Sequence, residues 1–447
     1  MTSLEDIRSM VSNPKYTYRQ RVAGLANLAE NLLDPPAVRK QCSDALANRI
    51  ICDMYEGSAP YRPRYLLPDY KKVLLHGSEF LELPPAKDLD DALAFLLIMY
   101  SATPSITGYP VYFGDLDTLL LPYVEGVVEA DLYAKLKRFW ISLDRMFPDA
   151  FAHTNVSPDY AAVSCYNSLK IGGDSHTLVR INLKTTVDAT EGGIEQFFNV
   201  SLPYYLDLTA ELMESKILYL VEESHFFASS WLVHEDLLKL DKFSSMFGIF
   251  GLAEAVNTLM ERDGKEGTYG HIPLADGLGY RITSFFSAWV AKRKMPYCEG
   301  NDGYAFLHSQ SGIDLDIGVT AGTRIPIGTE PPLISHLKTV ARHHHLFQSG
   351  ISDVLSFDET AVKNPQAVVD VIRGAFKIGM RDFTFNLDSN NFIRITGYLV
   401  SKSDLEKMPS ARHSSTYLGA GSVADSHVDQ RIVKRVMSAE SLPSTSS

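Results

Sequence analysis

The sequence predicts an α/β protein with a helical N-terminal third, on three observations. Residues 1–150 place apolar side chains three and four apart, as in VAGLANLAENLL (22–33) and LYAKLKRFWISLDRMF (132–147), the spacing of one helix face. From about residue 160 short apolar runs alternate with helical stretches, a pattern that points to parallel strands. The chain has 447 residues, 45% hydrophobic and 11% aromatic, enough for a substantial core.

Taken in order, Asp88 and Asp90 precede the apolar run ALAFLLIMY (92–100), where acids suit a helix start better than a metal site. The prolines of SAPYRPRYLLPDY (58–70) mark an extended connection. YAAVSCY (160–166) and TLVRINL (177–183) read as strands, followed by a helix near 193–222. MFGIFGLAEAVNTLME (246–261) reads as an extended piece turning into a helix, and AFLHSQSGID (305–314) and DFTFNLD (382–388) as further strands. The end of the chain, SAESLPSTSS, is polar and is read as disordered. No internal repeat is visible.

The net charge is −12 and the pI near 5.6, which argues against a general binder of nucleic acid or of anionic membrane. No apolar run reaches the ~20 residues that cross a bilayer, and the opening MTSLEDIRSM has no apolar signal core. A cytoplasmic protein is expected. Cys42, Cys52, Cys165 and Cys298 form no CxxC pair, so reduced thiols are expected and one is left for chemistry. His343, His344 and His345 are adjacent. Three neighbours do not share a helix face, and on a strand only the first and third point together, short of a usual ligand set. No metal is expected; a surface cluster or a polar lining is.

Two short stretches carry the chemistry. In FIRITGYLV (392–400) the pentapeptide at Arg394–Tyr398 resembles the radical-bearing loop of the glycyl radical enzymes, with Gly397 as the radical residue. A radical at a backbone Cα spreads into the flanking amide and carbonyl and is best stabilised when that carbon is planar. A side chain would crowd the planar state, and glycine has none. The plainer reading is a turn glycine at a strand end. Cys165 lies in VSCYNSL (163–169), between two strand-like runs and 232 residues before Gly397. Its plainer reading is a small buried hydrophobe.

The longer text resembles the YjjI family, glycyl radical proteins related to the anaerobic (class III) ribonucleotide reductases. The stretches that carry the resemblance include CDMYEGSAPYRPRYLLPDY (52–70), GSEFLELPPAKDLDDAL (77–93), KRFWISLDRMFPDAF (137–151), VSCYNSL (163–169), LVRINLK (178–184), MFGIFGLAEAVN (246–257), HSQSGID (308–314), SGISDVLSFDET (349–360) and ITGYLVSKSDLEK (395–407). The resemblance implies a glycyl-radical-enzyme-type ten-stranded α/β barrel of two half-barrels, with Cys165 and Gly397 meeting inside. It divides the chain into a helical region packing on the barrel (1–150), the barrel core with the thiyl loop (151–385), the glycyl loop segment (386–425) and a tail (426–447). Gly397 would store the radical, and the Cys165 thiyl radical would take hydrogen from a small polar substrate. No permanently bound cofactor is implied. The radical would be installed by a radical S-adenosylmethionine activating enzyme with an iron–sulfur cluster; a homodimer is an open option.

Further positions carry over as candidates. Asn182 in RINL aligns in context with a substrate-side asparagine, or is simply a strand-end amide. Glu254 in GLAEAVN is a carboxylate base or hydroxyl partner, or a solvated helix-start acid. Arg394 would pin the glycine loop. The chain also departs from known branches. No cysteine follows Cys298, so the reductases' four-cysteine zinc site is absent, and no nucleotide-sensing cone is recognisable. Tyr166 stands where the acyl-lyases have a second cysteine, and Asn167 where the dehydratases have a glutamate. Between HTNVSP (153–158) and YAAVSCYNSL (160–169) only Asp159 remains, where relatives of this kind carry a strand–helix–strand unit of roughly 30 or more residues. A barrel short of that unit would keep a seam or have to reclose. A ribonucleotide-reductase-like activity and a non-catalytic barrel therefore stay open beside the radical enzyme.

Overall fold

The computed structural model describes most of residues 4–401. Outside the described residues lie 1–3, 15, 17–20, most of 23–33, 53–62, 64, 104–112, 114–115, 147–159, 164–166, 310–318, 327, 352, 354, 359, 384, 388–391, 396–397 and 402–447.

The N-terminal region is helical, as expected. The described elements there are the helices Leu4–Ser12 (α1), Lys40–Ala47 (α2), Tyr70–His76 (α3), Leu89–Ala102 (α4), Leu116–Leu120 (α5) and Glu129–Met146 (α6), with one short strand, Ile51–Cys52 (β1), between α2 and α3. Asp69 and Asp88 cap α3 and α4: their carboxylates accept from the N–H groups of Lys72 (3.2 Å) and Asp91 (3.0 Å). A cap of this kind satisfies one of the four orphan donors of a helix start.

The wall that positions the site follows. Tyr160–Val163 (β2) and Asn167–Lys170 (β3) pair antiparallel, with Val163 opposite Asn167. Asp174–Asn182 (β4) then leads through Leu183–Asp188 (α7) and a long helix over 194–223 (α8) to Phe243–Phe250 (β5). Leu252–Arg262 (α9) and Pro273–Val290 (α10) cross to Phe306–Ser309 (β6). β4, β5 and β6 are parallel neighbours, and β1 lies antiparallel on the free side of β4. A parallel bridge from Ser309 to Ile351 extends the order toward Leu355–Phe357 (β7), itself parallel to Phe385–Leu387 (β8). β4, β5 and β6 therefore run one way, and β7 and β8 run parallel to each other in a separate pair. Helices Leu333–His344 (α11) and Pro365–Lys377 (α12) connect the last of them, and Phe392–Ile395 (β9) and Tyr398–Ser401 (β10) form a closing antiparallel pair.

Every residue of β5 is buried, as in a parallel strand covered on both faces. Because side chains alternate, the two faces differ. Val179, Ile181, Phe247, Ile249 and Leu307 pack with α8, α9, α10 and α11 in one cluster. Leu178 and Met246, on the other face, pack with Tyr65–Leu67, α3, α4 and α6. The N-terminal helices thus cover the amino half of the inner face and leave its carboxyl half to other groups.

Candidate functional site at the carboxyl ends of the parallel strands

In open or barrel-forming parallel sheets, polar and reactive groups gather where the strands end. Here those ends are Asn182, Phe250 and Ser309. Asn182 and Phe250 are register partners. Asn182 terminates β4 and caps α7: its N–H donates to the Ile50 carbonyl (2.9 Å), and its Oδ1 accepts from the Thr185 N–H (3.3 Å). The structure therefore gives it the strand-end role, with the amide –NH2 as the remaining donor.

Gly251 turns the chain from β5 into α9 with φ of 77°, a conformation suited to glycine. A Cβ there would lie 2.7 Å from Val319 Cγ1 and 3.1 Å from Asn182 Oδ1, so the close approach is a second reason. Its N–H donates to the Thr320 carbonyl (2.7 Å). Three residues on, Glu254 takes hydrogen bonds from the Thr320 N–H (3.1 Å) and from the Thr320 hydroxyl. Glu254 is thus no solvated helix-start acid; it ties the 319–325 segment to the rim.

That segment continues the polar edge. The Thr323 N–H donates to Ser309 Oγ (3.2 Å), and the Tyr269 hydroxyl donates to the Thr323 carbonyl (2.8 Å). His336, in the first turn of α11, meets Asp353 at 2.7 Å, both buried. Burial alone would lower the His336 pKa, but the charge and hydrogen bond of Asp353 outweigh it and the net shift is upward. Burial, then the charge of Asp353, holds the Asp382 carboxyl well above its ordinary range.

The histidine triplet is not the surface cluster that the sequence allowed: only His345 is exposed. It ends α11, with His343 and His344 fully buried. His343 is held by Tyr269 at 3.1 Å and by Thr283 at 2.9 Å, and burial pushes its pKa down to about 3. Among the described residues no group of three or more His, Cys, Asp and Glu is arranged to hold a metal ion. Burial pushes the Cys42 thiol up to about 11 and Cys298 up to about 12, so both stay protonated and act as packed apolar groups.

One feature of the inner face has no signature in the sequence. The pairing registers align Cys52, Arg180, Gly248 and His308 in a row across β1, β4, β5 and β6. Cys52, Arg180 and His308 are buried at 8%, 0% and 3% exposure. Gly248 leaves room for the arginine: a Cβ there would meet Arg180 Cγ at 2.7 Å. The Arg180 guanidinium reaches past it to the Phe250 ring, 4.7 Å from the centroid. The charge therefore stands at the carboxyl rim, beside the small apolar cluster of Cys52, Phe250 and Val319.

A cavity of about 740 Å3 lies at the opposite, amino ends of the strands, bordered by Tyr70, Phe113, Lys170, Lys242 and Phe306. Concavity would favour it; the convergence of buried polar groups favours the carboxyl rim.

A family model described as glycyl radical enzyme, YjjI-like, matches residues 16–159 and 157–434. The chain belongs to that family. The YjjI protein of Escherichia coli (strain K12) is 40% identical over 491 aligned positions, covering 95% of each chain. A protein of Haemophilus influenzae is 35% identical over 494 positions, covering 94% of this chain and 96% of the other. Both alignments are longer than this 447-residue chain, so both relatives carry internal residues that it lacks, and the family match divides at 157–159. Among solved structures, the anaerobic ribonucleotide reductase from Thermotoga maritima in complex with dATP and CTP superposes with a TM-score of 0.63 at 12% identity, covering 90% of this chain and 93% of that one. A Roseburia inulinivorans structure on 1,2-propanediol dehydration gives 0.69 at 10% identity, covering 92% and 89%. At such identities the likeness is one of fold.

Cys165 and Gly397 lie outside the described residues, as does the tail of 426–447. Their flanks are described: β2 and β3 leave 164–166 to connect them, and β9 and β10, paired through Ile395 and Tyr398, leave only 396–397. Arg394 belongs to β9. The structure brings Asn182 and Glu254 to one rim. Sequence reasoning missed Arg180 and His308, although the Arg in LVRINL and the His in HSQSGID stood inside stretches it quoted.

Proposed function

We propose that the chain stores a radical on Gly397 and uses the Cys165 thiol to pass it to a small polar substrate at the carboxyl rim. The activating enzyme, of the radical S-adenosylmethionine type, removes one hydrogen atom from Gly397 Cα. The glycyl radical takes the hydrogen atom of the Cys165 S–H, giving an intact glycine and a thiyl radical. The thiyl takes a hydrogen atom from a substrate C–H, which restores the S–H and leaves a substrate radical. After rearrangement or elimination the hydrogen returns by the same route. Glu254 and Asn182 stand where a hydroxyl of the substrate would be held, and Arg394 would steady the glycine loop.

The observation that carries this reading is the family match, whose second part spans both Cys165 and Gly397. The parallel strands β4–β6, the parallel pair β7–β8 and the antiparallel β1 are of the kind that part of a ten-stranded barrel of two half-barrels would contain. Anaerobic activation should give an electron paramagnetic resonance doublet, split by the remaining α-hydrogen. The doublet should vanish in Gly397→Ala and survive in Cys165→Ser; an unchanged signal in Gly397→Ala refutes the assignment.

The shorter length of this chain favours one alternative, a barrel left without turnover by the absent segment near Asp159. Its mark would be a folded protein that acquires no radical under conditions where the Escherichia coli relative does.

A further inference from the structure

The cavity at the amino ends of the strands stands apart from the carboxyl rim and has a chemistry of its own. We infer that it is a second binding site, for a small organic anion that joins an apolar ring to a carboxylate or phosphate group.

Three observations lead there. First, it is large enough and reachable. Its volume of about 740 Å3 falls within the roughly 300–1,000 Å3 of small-molecule sites, and exposed Lys71, Thr118, Lys170 and Gln348 on its border open it to solvent. Second, its floor is built from backbone held at contact distance around Lys242. A Cβ at Gly173 would lie 2.3 Å from the Lys242 carbonyl oxygen, and one at Gly300 would lie 2.4 Å from the same atom. The Gly172 N–H donates to the Leu67 carbonyl (2.8 Å), and the Lys239 N–H donates to the Gly172 carbonyl (2.8 Å). The N-terminal layer, the turn before β4, the start of β5 and the turn at 300 are thus tied together. A frame of this kind keeps the shape of a site before a ligand arrives, which lowers the cost of binding.

Third, the lining has an apolar part and a cationic part. Leu67, Phe113, Leu119 and Phe306 supply the first. Among the described residues, Lys71, Lys170 and Lys242 face Asp69 and Asp302 in the second. The chain as a whole carries a net charge of −12, so an excess of cations round one cavity runs against the average and favours an anion there. The Asp69 carboxylate already accepts from the Lys72 N–H (3.2 Å). Lys242 spends one of its three ammonium donors on the Ile171 carbonyl (2.8 Å). Among the described residues neither Lys71 nor Lys170 has an ion-pair partner. Ammonium groups meet carboxylate and phosphate as mobile point charges, and the two phenylalanines would flank the ring.

Binding can be read without a radical. Titration calorimetry on the full, unactivated chain would use benzoate and phenyl phosphate as probes, with benzamide and phenol as their neutral counterparts. At least one anion should bind, with its neutral counterpart on the order of 10-fold weaker or more. Lys71→Glu and Lys170→Glu should each weaken that anion by on the order of 10-fold, while Lys184→Glu, beside the carboxyl rim, should leave it unchanged. If either charge reversal fails to fold, Lys71→Gln and Lys170→Gln take its place with the same direction expected. No binding of either anion, a neutral counterpart that binds as tightly, or full anion affinity in the folded Lys71 and Lys170 variants would each overturn the inference. So would an anion weakened by Lys184→Glu alone, which would place it at the carboxyl rim.

Discussion

Arg180 lies across Gly248. The two are register partners on neighbouring parallel strands, and the arginine stem occupies the place a side chain at 248 would take, with Cγ 2.7 Å from a Cβ built there. The glycine in MFGIFGL is thus explained by its neighbour rather than by its own backbone.

Gly248→Ala should therefore destabilise the protein. Removing glycine from the unfolded chain favours folding by about 0.4–1 kcal/mol, but overpacking at a buried wall costs about 1–3 kcal/mol. The net loss should be about 1 kcal/mol by urea denaturation. In an Arg180→Ala background the same change should cost less, and a double-mutant cycle with no coupling would show that the two do not compete for space.

Stability should fall on the acid side of neutrality. Burial lowers the pKa of His176 to about 4, His343 to about 3 and His344 to about 4. Their unfolded values lie near 6.5, so between pH 6.5 and about 4 the unfolded state binds protons that the folded state refuses. Each contributes a loss of about 1.4 kcal/mol per pH unit in that window. His336 and Asp382 have the opposite sign: both are raised in the folded state, so each adds stability that is present below its unfolded value, near 6.5 for the histidine and 3.9 for the carboxyl, and is lost as the pH rises through its folded pKa. Denaturation midpoints at pH 7, 6 and 5 check the first effect, and His343→Gln should flatten the slope. Asp353→Asn should lessen the alkaline-side decline. Midpoints indifferent to pH from 7 to 5 would contradict the burial of these rings.

The Glu254–Thr320 contact should govern order at the rim. Glu254→Ala removes the acceptor for both the N–H and the hydroxyl of Thr320. Hydrogen–deuterium exchange should speed up at Thr320 and Gly251, whose N–H donates to the Thr320 carbonyl, while β5 keeps its protection. Unchanged exchange at both would place the hold on this segment elsewhere.

Much of the wall could be read from residues alone. MFGIFGLAEAVN shows an apolar run, a glycine and then helical spacing, and the structure has Phe243–Phe250, Gly251 and Leu252–Arg262 there. The acids at Asp88 and Asp90 marked a helix start because capping is local. The Arg180–His308 row was invisible for the opposite reason: it depends on the register of β4 against β5 and β5 against β6, and register is set by tertiary packing. Glu254 was ambiguous because its partner, Thr320, is 66 residues away. The histidine triplet misled because adjacency in sequence says little about which helix end, packed against which tyrosine, will hold it.

The central claim is that a hydrogen atom moves between the Cys165 sulfur and the Gly397 α-carbon. A thiol exchanges its hydrogen with solvent, so in deuterated water reversible transfer should carry deuterium onto Gly397. The account predicts that the doublet of the activated protein collapses toward a singlet in deuterated water and stays a doublet in Cys165→Ser. A full-strength doublet that persists in deuterated water with Cys165 intact would contradict it.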